Sequence, residues 1–567
     1  MEERPWHRSY DPGVPRSIDY EPLALPRLLE RSAERFPDRA ALVFLNARLS
    51  WSALHREVQR FAGGLAGLGV GPGTRVALML PNLPQTVIGF YAVQSLGAVA
   101  VMTNPLYTPR EIEHQWSDAG CEVAIVLDSL FDQRVRGMSD RVPVREYVVA
   151  QIPEYLRAPL RWLAPLALRR RDPAAWARIP TGPGVRGFRE LVRASAPPPA
   201  ADPPAFEDLA VLQYTGGTTG LSKGAMLSHA NLSCNVQQLS AWYPDLEPGT
   251  EVLLGALPLF HVFGLNVALN WAVLESATLV LVPDPRDVER LVKSIPRHRV
   301  TGFPGVPAMF EALCRRPGIE RADLTSLKRS FSGSAPLPAA VARRFEELTG
   351  CPILEGFGMT ESSPVSHSNP LSSRGEPGSV GVPLPDTDAK IVDAEDGVTV
   401  LPAGAVGELA VRGPQVMAGY WRRPEATAET LRDGWLHTGD LATADEAGYF
   451  RIVGRVKDMI LVGGYNVYPD EVDAVLAEHP AVLEAATIGV PHERTSESVK
   501  SFAVLRPGAS ADPAELVAHC RANLAAYKVP RELELVAELP RSSVLKVLRR
   551  ELRERELGRR RRDPLEA

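Results

Sequence analysis

The chain has 567 residues, of which 45% are hydrophobic and 23% are charged. These are ordinary values for globular proteins, and at about 100 to 200 residues per domain the length predicts more than one domain. A small disulfide-stapled protein and a disordered chain are therefore excluded. The 63 basic and 68 acidic residues leave a formal charge of −5, which gives no indication of a nucleic-acid partner.

The cysteines and the first residues indicate the cellular compartment. Five cysteines are present, and none is spaced as in a CxxC motif or a metal site. We therefore expect a reducing environment with inert, buried thiols. The first 13 residues carry charges and prolines where a signal peptide needs a continuous apolar stretch. A cytoplasmic location is the resulting expectation.

The N-terminal part of the chain alternates between helix and strand patterns. Its predicted elements are a helix over 25–36, a hairpin joined near Asn46, a helix over 52–68, a strand over 75–80, a helix around 87–97 and a strand over 97–104. This order is typical of a βαβ unit and predicts a parallel wound sheet.

Two apolar stretches, 76–109 and 252–274, are long enough to raise the question of a membrane span. The first has no charged residue, but prolines and amide side chains interrupt it, and the second contains a proline, a histidine and two asparagines. Buried strands and helices of a soluble core are the expected structure.

Residues 153–204 are rich in proline and arginine and show no clear period, which predicts a surface excursion. Within them, EYLRAPLRWLAPLALRRR (154–171) has five arginines, one glutamate, five leucines and Trp162. Two interpretations stay open, a basic segment at a membrane interface and a loop whose leucines pack on the main domain. Pro159 and Pro165 are expected to interrupt a continuous helix.

The patterns alternate again over 208–284 and 291–354, where we expect the active site, because wound sheets bind ligands beyond the carboxyl ends of their strands. Short strands over 378–413 predict a small β subdomain. A new pattern begins at 452 with a turn-rich connector, a strand, a helix, two strands and a further helix, so a boundary is placed near 454–458. The tail 549–567 has eight arginines against five acids and predicts a solvated terminal helix.

The strongest chemical signal is the loop YTGGTTGLSKG (214–224), which follows an apolar strand. Its four glycines expose backbone N–H groups, and together with four hydroxyl side chains and Lys223 they can surround the oxygens of a polyphosphate. It is not a Walker A loop, because Ser222 precedes the lysine and Gly224 follows it, where that motif needs glycine and then Ser or Thr.

This loop resembles the phosphate loop of the acyl-adenylate-forming enzymes, the superfamily of acyl-CoA synthetases, peptide-synthetase adenylation domains and firefly luciferase. Six further blocks follow in the order of that family: LPLFHVFG (257–264), GSAPL (333–337), EGFGMTES (355–362), GWLHTGD (434–440), GYFRIVGRVKDMILVGGYNVYP (448–469) and LPRSSVLKVLRREL (539–552). Within the superfamily the chain is most similar to bacterial long-chain fatty acid CoA ligases, through 104–115, 378–393, 413–427 and 457–472.

The resemblance implies an α/β fold with two parts. A large N-terminal AMP-binding domain, 1–455, would contain wound sheets and a small β-barrel-like subdomain. A smaller, mobile α+β C-terminal domain, 456–567, would rotate about a hinge at Lys457 between the two half-reactions.

The resemblance also implies the residues of an ATP and AMP site. They are Thr215, Gly216, Gly217, Thr218, Thr219, Gly220, Lys223, Gly333, Ser334, Ala335, Glu355, Gly356, Phe357, Gly358, Met359, Asp440, Ile452 and Arg455. Glu361 and Thr219 would hold Mg²⁺, and the Thr360 hydroxyl would bond the α-phosphate. Phe357 would stack on adenine. Asp440 would accept hydrogen bonds from the ribose, with Arg455 as a second contact.

The remaining implied residues would act on the carboxylic acid substrate or bind CoA. Lys546 would bridge the carboxylate and the triphosphate during adenylation; Leu545 stands where relatives usually have glycine. His261 would lie beside the acyl carboxylate, with Phe260 and Phe263 as pocket wall. Gly264 and Leu265 stand where some long-chain relatives have a gating tryptophan. Gly463, Gly464 and Tyr465 would face CoA.

The predicted function is therefore a long-chain fatty acid CoA ligase using ATP, Mg²⁺ and CoA. Alternatives from the same superfamily are a ligase or adenylating enzyme for a medium-chain, aromatic or amino acid and a luciferase-like oxygenase. A non-catalytic fatty-acid binding or uptake protein is the alternative from another class. Small-molecule substrates are the expected partners, and peripheral contact with the anionic inner face of the cell membrane and a homodimer stay open.

Overall fold

The computed structural model describes residues 4–180, 182–198, 202–215, 222–373, 378–463, 465–542 and 547–562. The architecture is α/β, as predicted. The chain forms two compact units, the first made of 1–388 and 412–436, the second of 389–411 and 437–567. The predicted boundary between residues 455 and 456 marks where the mobile C-terminal domain would begin, and it stays a prediction.

One sheet of the first unit has eight strands. In spatial order they are Gly419–Tyr420, Lys223–Ser228, Leu209–Thr215, Val99–Met102, Arg75–Met79, Val123–Leu127, Glu146–Ala150 and Val185–Gly187. The six strands from Leu209–Thr215 onward are parallel, and the other two add antiparallel strands at one edge. The predicted parallel wound sheet is confirmed.

The second sheet of this unit has nine strands. In spatial order they are Val382–Pro383, Val365–Ser368, Ile353–Gly358, Arg329–Ser332, Gly302–Gly305, Val252–Gly255, Thr278–Leu281, Ala40–Phe44 and Ala47–Ser50. Its middle is parallel, and antiparallel pairs close both ends. The hairpin predicted around Asn46 is one of these ends.

Helices pack against the two sheets. The α-helices of the first unit are Leu25–Arg35, Trp51–Gly67, Pro84–Ser95, Pro109–Ala119, Asp128–Leu130, Leu160–Arg171, Phe188–Ala194, His229–Trp242, Trp271–Leu274, Val288–His298, Pro307–Cys314, Ala339–Thr349 and Pro424–Thr430. Short 3₁₀ and π turns are Pro5–Ser9, Phe131–Val135, Arg136–Met138, Ile152–Tyr155, Pro173–Ala175, Phe263–Asn270, Ile319–Arg321 and Thr360–Ser362.

Local sequence explains where such helices begin and end. Thr108 accepts a hydrogen bond from the Glu111 backbone, and the Glu111 carboxylate accepts one from the Thr108 backbone, which is a capping box. Gly120 ends the same helix in the left-handed region, at φ 68°. Helix Pro84–Ser95 is buried on nearly every side, which explains its uncharged sequence. In the described ranges, no helix has both the length and the apolar character that crossing a membrane requires.

The second unit contains most of a five-stranded sheet and the whole of another. The first sheet consists of Asp388–Val392, Gly407–Arg412, Trp435–Ala444, Leu431–Arg432 and Phe450–Arg455. The other consists of Tyr465–Val467, Ile460–Val462, Ser496–Leu505, Val482–His492 and Glu532–Leu535. Helices Pro469–Glu478, Pro513–Asn523 and Arg549–Arg562 accompany the latter.

Three expectations about irregular segments are wrong. Helix Leu160–Arg171 continues through Pro165, and its Leu160, Leu163 and Leu166 side chains are exposed. The interpretation as a loop whose leucines pack on the domain is therefore wrong for these residues, although Leu156, before the helix, is buried. Residues 185–194 are no surface excursion, because they add a strand to the parallel sheet and bury Phe188 against Phe61. Three-residue strands and seven-residue helices are too short to show a period.

The third concerns the terminal helix, which is present as predicted but is not solvated on all sides. Leu552 and Glu556 are each 5% exposed, so this helix packs on its sheet and is only partly solvated. The cysteines agree with expectation, since all five are free and four are buried. Burial raises the pKa of the Cys520 and Cys314 thiols to about 11, which keeps them protonated and inert.

Candidate active site

The predicted phosphate loop leaves the eight-stranded sheet at the carboxyl end of strand Leu209–Thr215. The antiparallel partner strand begins at Lys223, and Thr215 is paired with Lys223 across the base of the loop. The loop members Gly216, Gly217, Thr218, Thr219 and Gly220 lie outside the described residues. Its position at a strand end is the one expected for a ligand site of a wound sheet.

A tyrosine connects Lys223 with Glu361. The Lys223 Nζ atom lies 5.2 Å from the centre of the Tyr420 ring, and the Tyr420 hydroxyl donates a 2.6 Å hydrogen bond to Glu361 Oε1. Burial and the neighbouring Glu361 carboxylate raise the pKa of Tyr420 well above its ordinary value, so the hydroxyl keeps its proton and is the donor. The structure thus brings a predicted cation and a predicted carboxylate to one place.

Thr360 and Glu361 lie on the short helical turn Thr360–Ser362, directly after strand Ile353–Gly358, and both are buried. The Glu361 carbonyl accepts a hydrogen bond of 2.8 Å from the Met417 backbone N–H. Ser363 ends the turn at φ 65°, and its carbonyl accepts a 2.6 Å hydrogen bond from Asn266 Nδ2. The turn is therefore held from two sides.

Asn266 belongs to a buried polar chain that sequence analysis missed. It lies in the π-helix Phe263–Asn270, and its Oδ1 accepts a hydrogen bond from Asn270 Nδ2 at 2.9 Å. Asn270 Oδ1 in turn accepts one from the Tyr91 hydroxyl at 2.8 Å. The available signal was the pair of asparagines in the uncharged stretch 252–274, since amides buried among apolar residues need partners.

The predicted acyl-pocket residues lie at the start of the same π-helix. The buried Gln213, two residues before Thr215, donates a 3.0 Å hydrogen bond from Nε2 to the Phe260 carbonyl. His261 Nδ1 accepts a 3.3 Å hydrogen bond from the Phe263 backbone. The strand that leads into the phosphate loop is therefore hydrogen-bonded to the segment of the predicted acyl pocket.

The turn predicted to face the nucleobase touches this pocket. A Cβ atom on Gly333 would lie 3.3 Å from the Phe263 ring. Ser334 follows at φ 73°, and Ala335 is exposed at the surface. The turn continues to Leu337, whose backbone N–H donates a 3.0 Å hydrogen bond to Glu355 Oε2.

The predicted ATP-site residues 355–359 lie beside that turn, because Ser332 is paired with Glu355. Burial raises the pKa of Glu355 to about 7. The Phe357 ring contacts the buried His367 ring edge to face, with centroids 6.0 Å apart. Gly358 has no room for a side chain, since a Cβ would lie 1.9 Å from the Pro364 carbonyl oxygen. Gly356 belongs to the same strand, and Met359 follows it.

The predicted ribose residues lie in the second unit. Asp440 and Arg455 face each other on antiparallel strands, and Arg455 Nε lies 2.8 Å from Asp440 Oδ1. Asp440 is buried, and Ile452 is half-buried on the same strand as Arg455. The two residues are thus brought together as an ion pair, which orients the aspartate.

The predicted hinge and CoA residues are also in this unit. Lys457 is exposed on the turn after strand Phe450–Arg455. Gly463 adopts φ 58°, and the exposed Tyr465 ring stacks on Tyr527 with centroids 4.7 Å apart. Both tyrosines line a cavity of ≈ 230 Å³ together with Arg531. Gly464, Leu545 and Lys546 lie outside the described residues.

The described carboxylates permit one kind of metal site. Among the residues that the structure describes, no group of three His, Cys, Asp or Glu side chains could hold a metal ion. Mg²⁺ is often held by one or two carboxylates together with nucleotide phosphates and waters. A single buried carboxylate such as Glu361 fits that arrangement and does not fit a cage made of protein groups alone.

Comparison with known proteins defines the class. The sequence profile of the AMP-binding enzymes matches residues 29–421, and the profile of the AMP-binding enzyme C-terminal domain matches 471–546. The chain therefore belongs to the AMP-binding enzyme family, and the predicted family is confirmed. AMP-forming CoA ligases of this family use an acid, ATP and CoA.

Two relatives of known name and one solved structure are similar to the chain over nearly its whole length. A long-chain-fatty-acid–CoA ligase of Bacillus subtilis (strain 168) is 42% identical over 557 residues, covering 98% of each chain. One of Yersinia pestis is 42% identical over 562 residues, again covering 98% of each. The crystal structure of the anthranilate CoA ligase AuaEII with anthranoyl-AMP has a TM-score of 0.84 at 29% identity and covers 95% of this chain and 98% of that one.

Proposed function

We propose that this chain is a long-chain fatty acid CoA ligase. The carboxylate of the acid attacks the α-phosphorus of ATP to give acyl-AMP and pyrophosphate. The CoA thiol then attacks the acyl carbon, AMP leaves, the thiol proton is released and a thioester forms. The observation that carries the proposal is the meeting of Lys223 and Glu361 around Tyr420 at the base of the phosphate loop. The substrate in the names of the Bacillus subtilis and Yersinia pestis relatives supports a long-chain fatty acid as the substrate.

Each site residue has a role in this proposal. Lys223 and the loop bind the phosphates, and the Thr360 hydroxyl bonds the α-phosphate. Glu361, with Thr219, would hold Mg²⁺, which supplies positive charge to the phosphates when bound. The Phe357 ring and the Gly333 turn bind adenine, and the Asp440 carboxylate, oriented by Arg455, binds the ribose.

Lys546 is proposed to stabilise the charge that develops between the carboxylate and the α-phosphate. After adenylation the C-terminal domain, 456–567, would rotate about Lys457 and bring 463–465 to the CoA channel. We expect Lys546→Ala to block acyl-AMP formation and to leave CoA attack on supplied acyl-AMP largely intact. Equal losses in both half-reactions would contradict this division.

The acid is tested by CoA-dependent AMP formation. Acetate, octanoate, palmitate, oleate, a hydroxycinnamate and mixed amino acids serve as separate substrates, with MgATP. Turnover with palmitate or oleate supports the proposal. Turnover only with octanoate or the aromatic acid favours the second candidate, which has support because the structurally similar AuaEII is a ligase for an aromatic acid. Binding of palmitate without AMP formation favours a non-catalytic fatty-acid protein.

A membrane partner is proposed for helix Leu160–Arg171. Four large apolar side chains at helical spacing are exposed on it: Leu160 43%, Trp162 74%, Leu163 54% and Leu166 53%. Arginines accompany them at 157, 161, 169 and 170. Apolar side chains with neighbouring cations suit the interface of an anionic bilayer, where long-chain acids also partition. We therefore propose peripheral contact with the inner face of the cell membrane from a cytoplasmic location.

Flotation with phosphatidylglycerol-containing vesicles measures this contact. Changing Arg161, Arg169 and Arg170 to Gln is expected to weaken binding about a hundredfold, at about 1 kcal/mol per cation. The matched control changes three exposed arginines outside this helix, Arg136, Arg286 and Arg315, to Gln. Equal flotation of both variants would contradict the proposed surface. A homodimer stays a prediction, which light scattering on the eluted protein tests.

A further inference from the structure

Tyr420 lies between two residues of the proposed ATP site, in the stretch 413–427 to which the sequence analysis assigned no site role. It is 8% exposed. The face of its ring carries Lys223 Nζ at 5.2 Å, and its hydroxyl donates to Glu361 Oε1 at 2.6 Å. The first contact is a cation–π interaction, and the second has the short length of a charge-assisted hydrogen bond.

The segment 417–423 holds this ring in place. Its strand pairs with strand Lys223–Ser228, with Tyr420 opposite Ala225. The Tyr420 backbone N–H donates a 2.9 Å hydrogen bond to Thr427 Oγ1, and the next residue, Trp421, donates its N–H to the Gly224 carbonyl at 2.8 Å. Hydrogen bonds on both sides of its Cα thus fix the backbone from which the ring extends.

A half-buried aspartate, Asp118, connects the same segment to the start of the phosphate-loop segment 214–224. Asp118 accepts hydrogen bonds from the Arg423 guanidinium at 2.6 Å and from the Tyr214 hydroxyl at 2.7 Å. Tyr214 is the first residue of the loop segment 214–224, so that segment and the Tyr420 segment are both hydrogen-bonded to Asp118. Met417 adds a backbone hydrogen bond to the Glu361 carbonyl at 2.8 Å.

We propose that Tyr420 is a positioning residue for adenylation, which holds the Glu361 carboxylate in one orientation while its ring holds the Lys223 ammonium. The Lys223 ammonium then contacts the ring face, the Glu361 carboxylate contacts the hydroxyl, and both charged groups stay directed at the phosphate site. The inference rests on the proposed function, since it takes Glu361 as the carboxylate that faces Mg²⁺. Loss of a group that orients a metal ligand commonly weakens metal binding or activity about 10- to 100-fold.

The test is Tyr420→Phe, which keeps the ring and removes the hydroxyl. We expect the Mg²⁺ concentration for half-maximal acyl-AMP formation to rise about 10- to 100-fold. Calorimetric titration with ATP at several Mg²⁺ concentrations should show the same shift, with ATP binding in the absence of Mg²⁺ unchanged. Tyr147→Phe is the matched control, because Tyr147 is a buried tyrosine of the same unit whose hydroxyl bonds the Ser139 carbonyl at 3.4 Å.

An unchanged Mg²⁺ dependence in Tyr420→Phe would overturn the proposal. So would an activity loss that is equal at all Mg²⁺ concentrations, since a merely structural role produces that result. In a double-mutant cycle with Glu361→Gln, the Tyr420→Phe effect on Mg²⁺ dependence should largely vanish, and additive effects would contradict the coupling. If Tyr420→Phe folds poorly, the ATP titration is made on the folded fraction from gel filtration.

Failure of the proposed function gives a different result. In that case the wild-type chain forms no acyl-AMP from any acid. The ATP titration with and without Mg²⁺ still reports on Tyr420, because it needs no acid and no turnover.

Discussion

Replacing Asn266 by leucine, which has the same number and branching of side-chain heavy atoms but no polar group, should destabilise the first unit. The Asn266 side chain is fully buried; Nδ2 donates to the carbonyls of Ser363 and Leu232 at 2.6 and 3.2 Å, and Oδ1 accepts from Asn270. Leucine leaves those three buried groups without this partner. At about 1 to 3 kcal/mol for each unsatisfied group, and with partial relaxation, we expect a loss of about 3 to 6 kcal/mol.

Tryptophan fluorescence reports on this unit alone, because all nine tryptophans lie within 1–388 and 412–436. Urea unfolding followed in this way should show a lower midpoint with an unchanged slope. The control is Asn46→Ala, which removes two hydrogen bonds with the Arg157 backbone at an exposed site where water replaces them. A loss below about 1 kcal/mol in Asn266→Leu, or equal losses in both variants, would refute the reasoning.

Three further predictions concern buried groups. Lys500→Met removes the ammonium that lies 3.0 Å from the buried Glu556 carboxylate. The free energy of unfolding of the second unit should fall by about 1.5 to 3 kcal/mol, measured by circular dichroism during urea unfolding. Lys500→Arg should recover part of this loss. Gly358→Ala should abolish AMP formation, because the new Cβ would lie 1.9 Å from a carbonyl oxygen; activity near wild type would show that the strand can move. Burial raises the pKa of Glu355 from 4.5 to about 7, so the folded state binds this proton more tightly than the unfolded state does. The free energy of unfolding should therefore fall as the pH rises from 4.5 to about 7. Glu355→Gln should flatten the plot of the urea midpoint against pH, and an unchanged slope would contradict the assignment.

Local motifs were predictable because their physics acts over a few residues. The capping box at Thr108, the uncharged helix Pro84–Ser95 and the hairpin around Asn46 each follow from neighbouring side chains. The phosphate loop was recognised because its glycines, hydroxyls and lysine are contiguous. The family assignment rests on several such blocks in order, so it too needed no tertiary information.

Other features depend on residues far apart in the chain. The hydroxyl of Tyr420 meets a carboxylate 59 positions earlier, and Asn266 meets the Ser363 carbonyl 97 positions later. Residues 185–194 became a strand and a helix only because an adjacent sheet edge and the Phe61 ring accepted them. Pro165 remains inside a helix because its turn is exposed and water can bond the unpaired carbonyl.

Periodicity and contiguous motifs record short-range preferences, so the family, the parallel wound sheets and the charged groups proposed for the site could all be inferred from the order of residues. How those groups are held depends on contacts between distant parts of the chain. Tyr420 separates Lys223 from Glu361, and buried amides hold the turn that carries Glu361. Burial makes such contacts necessary, because a polar group that is removed from water needs a hydrogen-bond partner within the fold.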